Sequence, residues 1–289
     1  MRVLFRRFAA FSCFFVCVGI VLGFAGGLHP FADSVSLLRM PLGGMCLVAL
    51  VFPVARILRY MLAVAGFAAL MTTVPLLMRS QPPGSLILYT KNLLYRNDEW
   101  AALAADIRAT DADVVTLQEV SQRNDPFLMI LKDAYPFQHL CRFTGWSGVA
   151  VLSKTQFVRP PRCSDVTGVA AAQIENDGYH IWVASVHLPW PYPYRQNAST
   201  QAAVALFDAL EGPLVIGGDF NIFPWASSVR QIRQASETKI AGPLRPTFKL
   251  YGAPLFLDHV YAPGGGSLSY RGLLGSDHLG VLAHLALES

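Results

Sequence analysis

The stretch LVIGGDFNIFPW, Leu214 to Trp225, decides the fold. Leu214, Val215 and Ile216 form a short apolar run of the kind a fully buried strand makes. Gly217 and Gly218 read as its end, where the backbone turns tightly. Asp219 and Asn221 follow two residues apart, so on extended backbone both polar heads project to one face. Pro224 reads as the first turn of a helix that continues through Val229 and Ile232. A buried strand that delivers an acid and an amide at its carboxyl end is a common way to build a site, although a lone Asp-x-Asn is as often only an Asx turn.

Working outward, the same pattern recurs. LILYTKNLLY reads as a strand ending at Asn92, and DADVVTLQEV as a buried strand with Glu119 at its end. Asn176-Asp177-Gly178 is a strong hairpin turn into YHIWVASVHLPW, whose strand ends at His187. FLDHVYA presents Asp258 and His259, and SDHLGVLAHLAL places Asp277 and His278 ahead of a final apolar strand. GVAVLSK and GVAAAQI add strands, while Gly264–Gly266 reads as a flexible loop. Helices are expected from an Asp98 cap through Leu103 and Ile107, around Phe127 to Leu131, and from about Gln196 to Leu210. Strands and helices interleave without internal repeats, which indicates α/β or α+β layers on a mixed sheet. Polar side chains at the ends of so many apolar strands point to one shared site.

Carboxylates and carboxamides without cysteine suit a hard cation, Mg²⁺ or Mn²⁺. Histidines beside such an ion suit phosphoryl oxygens, as donors or proton carriers. The set therefore points to metal-assisted hydrolysis of a phosphoester. Asn92 after a strand, LQEV, HLP, GGDFN, LDHVY and SDH, in that order and spacing, resemble the endonuclease/exonuclease/phosphatase superfamily over essentially all of the chain from about Leu86 onward. The resemblance implies a four-layer sandwich, two mixed β-sheets packed face to face with helices outside. It implies Glu119 as principal metal ligand, helped by Asn92 and Asp277. Asp219 would orient or deprotonate the attacking water, and Asn221 would hold the phosphate or that water. His278, oriented by Asp258, would stabilise the transition state or act as acid/base, and His187 would donate to a phosphoryl oxygen. Sequence leaves open whether Asp219 or His278 is the base. His259 faces the other way on its strand and reads as structural; His139, His180 and His284 stand in no motif. Trp190, Tyr192 and Tyr194 read equally as an aromatic lip over the site, a membrane-surface belt or packing in a Pro-rich loop, and Arg195 as a second phosphate contact or a helix start.

The remaining 80 residues are of another kind. Mean hydropathy is +0.39 and 53% of all residues are hydrophobic, with the apolar excess concentrated there, so transmembrane spans are expected over about 8–28, 35–55 and 60–78. Arg2, Arg6 and Arg7 before an apolar core also resemble the start of a signal peptide, but the core is long and two further spans follow. The positive-inside rule, applied to these arginines and to Arg56 and Arg59, puts the N-terminus in the cytoplasm of a bacterial inner membrane and everything after Arg79 on its outer face. Gln81–Gly84 reads as a stiff linker into the domain from 85 onward. Cys141 and Cys163 can pair if that domain is periplasmic. From Gly84 onward the chain holds 16 basic and 18 acidic residues, so the basic balance is a topology signal and not a nucleic-acid footprint.

A compact, slightly acidic, tethered domain fits a lipid or lipid-linked phosphate better than a duplex, whose binding rests on counterion release. The chain also resembles the bacterial membrane-anchored branch of the superfamily, which makes a polyprenyl pyrophosphate a candidate substrate, although no residue marks a prenyl pocket. A nuclease, or a binding module of the same fold without turnover, are the competing readings. No protein partner is implied.

Overall fold

The Leu214–Asp219 strand lies parallel to Tyr179–His187, with His187 in register with Asp219. On its other side Asp258–Ala262 runs antiparallel and pairs Asp258 with Asp219. Val169–Asn176, Arg162–Cys163 and Lys239–Ile240 complete this six-stranded sheet. The other six-stranded sheet repeats the arrangement. Its central pair, Leu86–Asn92 and Val114–Gln118, is parallel with Asn92 opposite Gln118. Gly280–Ala286, Gly265–Arg271, Gly148–Ser153 and Phe137–Arg142 flank it antiparallel. Each sheet thus has one parallel pair whose carboxyl ends deliver polar side chains to the same edge of the sandwich. This chain is described here from a computed structural model, which covers residues 2–79, 81–166 and 168–288, with side chains from residue 9 onward.

Period-2 alternation builds the layers. Leu86, Leu88, Val114, Val183, Val215 and Val260 point between the sheets. On the outer face of one sheet Tyr89, Val115 and Leu117 meet the helices Trp100–Ala109 and Asp125–Ile130. On the other, Leu214, Ile216 and Tyr261 meet Gln196–Asp208 and Ser227–Ala235. The result is the expected helix–sheet–sheet–helix sandwich.

Several local expectations change. Gly217 and Gly218 do not turn the chain, because the strand continues through both to Asp219. They are glycines because of close approach: a Cβ on Gly217 would meet Thr116 Oγ1 at 2.7 Å and Leu88 Cδ2 at 2.9 Å across the sandwich, and one on Gly218 would meet Val186 O at 2.0 Å. Pro224 precedes the helix, which begins at Ser227. Gly265 and Gly266 begin a strand, and Gly264 N donates to Ala286 O. Asp98 takes Arg123 in a two-pronged ion pair in place of capping a helix. The hairpin turn at Asp177-Gly178 forms as read, both residues with positive φ.

Residues 2–79 form an antiparallel helical bundle. Its helices are Arg2–Phe24, then Pro30–Val35 continuing through a tighter turn into Arg39–Ala49, then Arg56–Met71 and Val74–Met78. Gly43 and Gly66 let two helices approach until a Cβ on Gly66 would meet Cys46 Cβ at 2.8 Å. Among the described residues two stretches are long and apolar enough to cross a membrane, Pro30–Ala49 and Arg56–Met78, and Ala9–Phe24 is a shorter apolar helix. The second stretch begins and ends earlier than the sequence suggested, because residues 30–38 pack on the sandwich. The linker is also no free tether: Gln81 Oε1 accepts from Gly266 N at 2.6 Å, and Gly84 N donates to His284 O. Cys141 and Cys163 form a disulfide.

Candidate active site

Glu119 and Asn221 leave their strands at positive φ, 53° and 50°. This is a conformation that side chains other than glycine adopt only when the surroundings fix it. At Asn221 the fixing contacts are visible. Its N–H donates to Asp219 Oδ1 at 2.9 Å, and its Nδ2 donates to Leu188 O at 2.9 Å and Asp219 Oδ2 at 3.3 Å. The segment is therefore an Asx turn and a site element at once, with Asn221 placed by the turn and not by strand alternation.

Asp219 is the hub. It is 1% exposed, and its Oδ2 accepts from Asn92 Nδ2 at 3.0 Å and lies 3.7 Å from His187 Nε2 and 3.8 Å from His278 Nε2. Burial raises its pKa to about 6 even though both histidines pull it down. His278 Nδ1 meets Asp258 Oδ2 at 2.8 Å. Burial opposes charge on that ring, but the carboxylates of Asp258 and Asp219 outweigh it and push the pKa up to about 10. Asp258 is held below the usual carboxylate range: burial works against its charge, and His278 more than compensates. His278 thus lies between two acids, with Nδ1 on Asp258 Oδ2 and Nε2 3.8 Å from Asp219 Oδ2.

Glu119 forms the more open side. Its Oε1 accepts from Asn92 Nδ2 at 3.2 Å and stands 4.0 Å from His187 Nε2, its Oε2 accepts from Tyr95 N at 3.0 Å, and its side chain is 19% exposed. An accessible carboxylate among oxygen and nitrogen donors, with no thiolate, fits a hard divalent cation. Asn92 turns its amide nitrogen to both carboxylates while its Oδ1 accepts from Leu94 N, so here it is a donor that spaces the two acids. Asp277 is exposed at the rim, and its charge is felt at His278. Asp219, Asp258 and His278 also lie close enough to share an ion. In that group all three side chains are buried, and His278 Nδ1 and Asp258 Oδ2 already face each other at 2.8 Å, whereas Glu119 is open to an ion. Glu119 is the ligand this geometry fits.

All the residues expected from sequence except Asp277 are joined in this network. His259 is not part of it. It stacks on Phe220, meets Tyr261 Oη and Phe256 O, and burial lowers its pKa to about 4, so it is a neutral packing residue. Lys91 was not singled out. It is fully buried and donates to Gly272 O, Leu273 O and His278 O, the last at 2.5 Å, so it ties down the loop that carries His278. Its signal was a lone cation in an apolar strand. Phe248 was missed too: its ring lies 4.7 Å from the His278 ring, and Trp190 lies against Phe248 at 6.1 Å.

The family model described as the Endonuclease/Exonuclease/phosphatase family matches residues 90–278, from the strand of Asn92 to His278 itself. The chain belongs to that family. Its members are phosphoester hydrolases, and this chain is an enzyme of that class; enzymes of the family depend on a divalent metal. Solved structures share the family fold. Truncated TDP2 of Caenorhabditis elegans matches with a TM-score of 0.54 at 17% identity, covering 68% of this chain and 96% of that one. Sphingomyelinase C of Streptomyces griseocarneus matches with 0.52 at 18%, covering 70% and 99%. The human Nocturnin catalytic domain with a bound sulfate matches with 0.54 at 18%, covering 71% and 95%. No curated protein matches the sequence.

Proposed function

We propose that this family member is a membrane-anchored, Mg²⁺-dependent phosphoester hydrolase that acts on a lipid or lipid-linked phosphate at the outer face of the membrane. One observation carries the choice of substrate. The wall of the site is continuous with the ends of the apolar helices: Phe223, Trp225 and Leu257 are buried against Leu37, Met40, Leu76 and Leu77 on one side and Trp190 and Phe248 on the other. Phe248 in turn lies on His278. If the apolar helices sit in a bilayer, the mouth of the site lies at its surface, where a phosphate whose apolar part stays in the lipid reaches it with little displacement. The Cys141–Cys163 disulfide supports an oxidising compartment.

In this reading Asp219 takes the proton of the attacking water, its burial making it the stronger base. The His278 imidazolium, held by Asp258, and His187 donate to the phosphoryl oxygens as charge develops on them. Asn221 orients the water or the phosphate. Glu119 would hold the cation, which when bound neutralises phosphoryl charge.

Hydrolysis by the detergent-solubilised protein, with and without Mg²⁺, tests the proposal on a panel of polyprenyl pyrophosphate, read as phosphate release, and of phospholipids and duplex DNA, read as separated cleavage products. Turnover of a lipid substrate, absent in Asp219→Ala, is expected. Turnover of DNA alone overturns the lipid reading, and metal-independent turnover overturns the mechanism.

A further inference from the structure

The helix Ser227–Ala235 is capped from an unexpected quarter. Its own N-cap, Ala226, has no side-chain acceptor for the free N–H groups of the first turn. Asp33, 194 residues upstream, takes them: Oδ1 accepts from Ser227 N at 2.6 Å and Oδ2 from Ser228 N at 3.0 Å. Asp33 is buried and is the only acid before Gly84. Beside it Trp225 Nε1 donates to Ser36 O at 2.8 Å. The fit is close, since a Cβ on Gly26 would meet Asp33 Oδ1 at 2.4 Å and Ser227 Cβ at 3.1 Å.

We infer that the segment Pro30–Leu38 is a built-in part of the active site, with Asp33 a positioning residue that fixes the Asp219–Asn221 turn from the membrane side. The inference deepens the function proposed above and rests on it for its kinetic arm. Between Asp219 and Ser227 the chain has no regular structure; Phe220 N and Asn221 Nδ2 are tied to Leu257 O and Leu188 O, and beyond them the segment is held at its two ends. One end is strand, held by the sheet register. The other is the helix N-terminus, held by Asp33. Asn221 sits between them at positive φ, held by Asp219 and Leu188 O, and that arrangement persists only while both ends of the segment stay in place. A simple tether would leave this turn indifferent to the membrane segment; the Asp33 cap makes the two one unit.

The test uses the full-length protein in detergent, with Asp33→Ala removing the acceptor and Ser227→Pro removing one donor. Proline is tolerated at the first helical position, and Ala226 already has the extended backbone that a following proline requires. Amide exchange over residues 219–228, read by mass spectrometry, should rise in both variants by roughly tenfold or more, the scale on which a lost cap loosens a first turn. The kcat on a water-soluble phosphodiester should fall by a similar factor, with KM changed less than about twofold, as loss of orientation and not of binding requires. Asp33→Asn, which keeps one acceptor, should recover part of both. Unchanged exchange over 219–228 in the two variants overturns the inference, as does loosened exchange with full kcat. If the wild type cleaves no phosphoester, the function proposal fails, and the exchange comparison alone still decides whether Asp33 holds the turn.

Discussion

Asp258→Asn removes one charge from the site and weakens the bond that orients His278. Asp258 is buried, in register with Asp219, and its Oδ2 lies 2.8 Å from His278 Nδ1. With that carboxylate intact, His278 keeps its proton until pH rises through about 10. Without it the ring loses the largest of the carboxylate effects that hold its proton, and burial lowers its pKa against the remaining pull of Asp219. Each unit by which the ring's pKa falls below the working pH removes about tenfold of the protonated donor, and of kcat with it. Loss of the orienting bond adds about tenfold. The sign is fixed by which form acts: a protonated donor is lost as pH rises, so the deficit of the variant should widen from pH 6 to pH 9 and narrow toward acid. The assay is the ratio of wild-type to variant kcat across that range. The rise through about pH 6 that comes from deprotonating Asp219 depends on Asp258 and His278 as well, so the widening of the ratio is read above that rise, toward pH 9. A ratio that stays constant with pH would refute the role of His278 as a charged donor, and a ratio near one would refute the whole relay.

Other outcomes follow from the same geometry. Lys91→Met leaves Gly272 O, Leu273 O and His278 O without their shared donor; chemical denaturation should show a loss of about 2–4 kcal/mol, with kcat falling as the His278 loop loosens. Gly217→Ala drives a methyl into Thr116 and Leu88 and should cost about 1–3 kcal/mol of overpacking, seen as a lower Tm. Replacing Cys141 and Cys163 by serine opens a loop of 22 residues and should lower stability by about 3 kcal/mol while kcat at 25 °C is retained. Glu119→Gln should weaken Mn²⁺ binding, followed by electron paramagnetic resonance, by tenfold or more, on the order of what loss of a ligand's charge brings.

The parts of this molecule that were legible from sequence are those encoded locally. Apolar strands with polar ends announced Asn92, Glu119, His187, Asp219 and Asp258, since strand period and strand end are local properties, and the parallel pairs then bring those ends to one edge. What was misread depends on partners far along the chain. Gly217 is small because Thr116 and Leu88 lie opposite, not because the chain turns. The helix after Pro224 starts late because its cap comes from Asp33. The glycines at 265 and 266 gain strand geometry from the partner strand Gly280–Ala286. The second apolar helix starts at Pro30, where Leu37 packs with Phe223 and Trp225 and Asp33 caps a distant helix, contacts that no local pattern announces. Asp277 stands in the motif but at the exposed rim, and no spacing rule distinguishes the rim from the centre.

The central claim is that water attacks phosphorus in a site organised by Asp219. A single turnover in ¹⁸O-water, with Mg²⁺ and a lipid phosphoester, tests it most directly. One ¹⁸O in the phosphoryl product of the wild type, and no product above background from Asp219→Ala, is the predicted result. Label in the leaving alcohol, or equal product from the variant, would contradict the account.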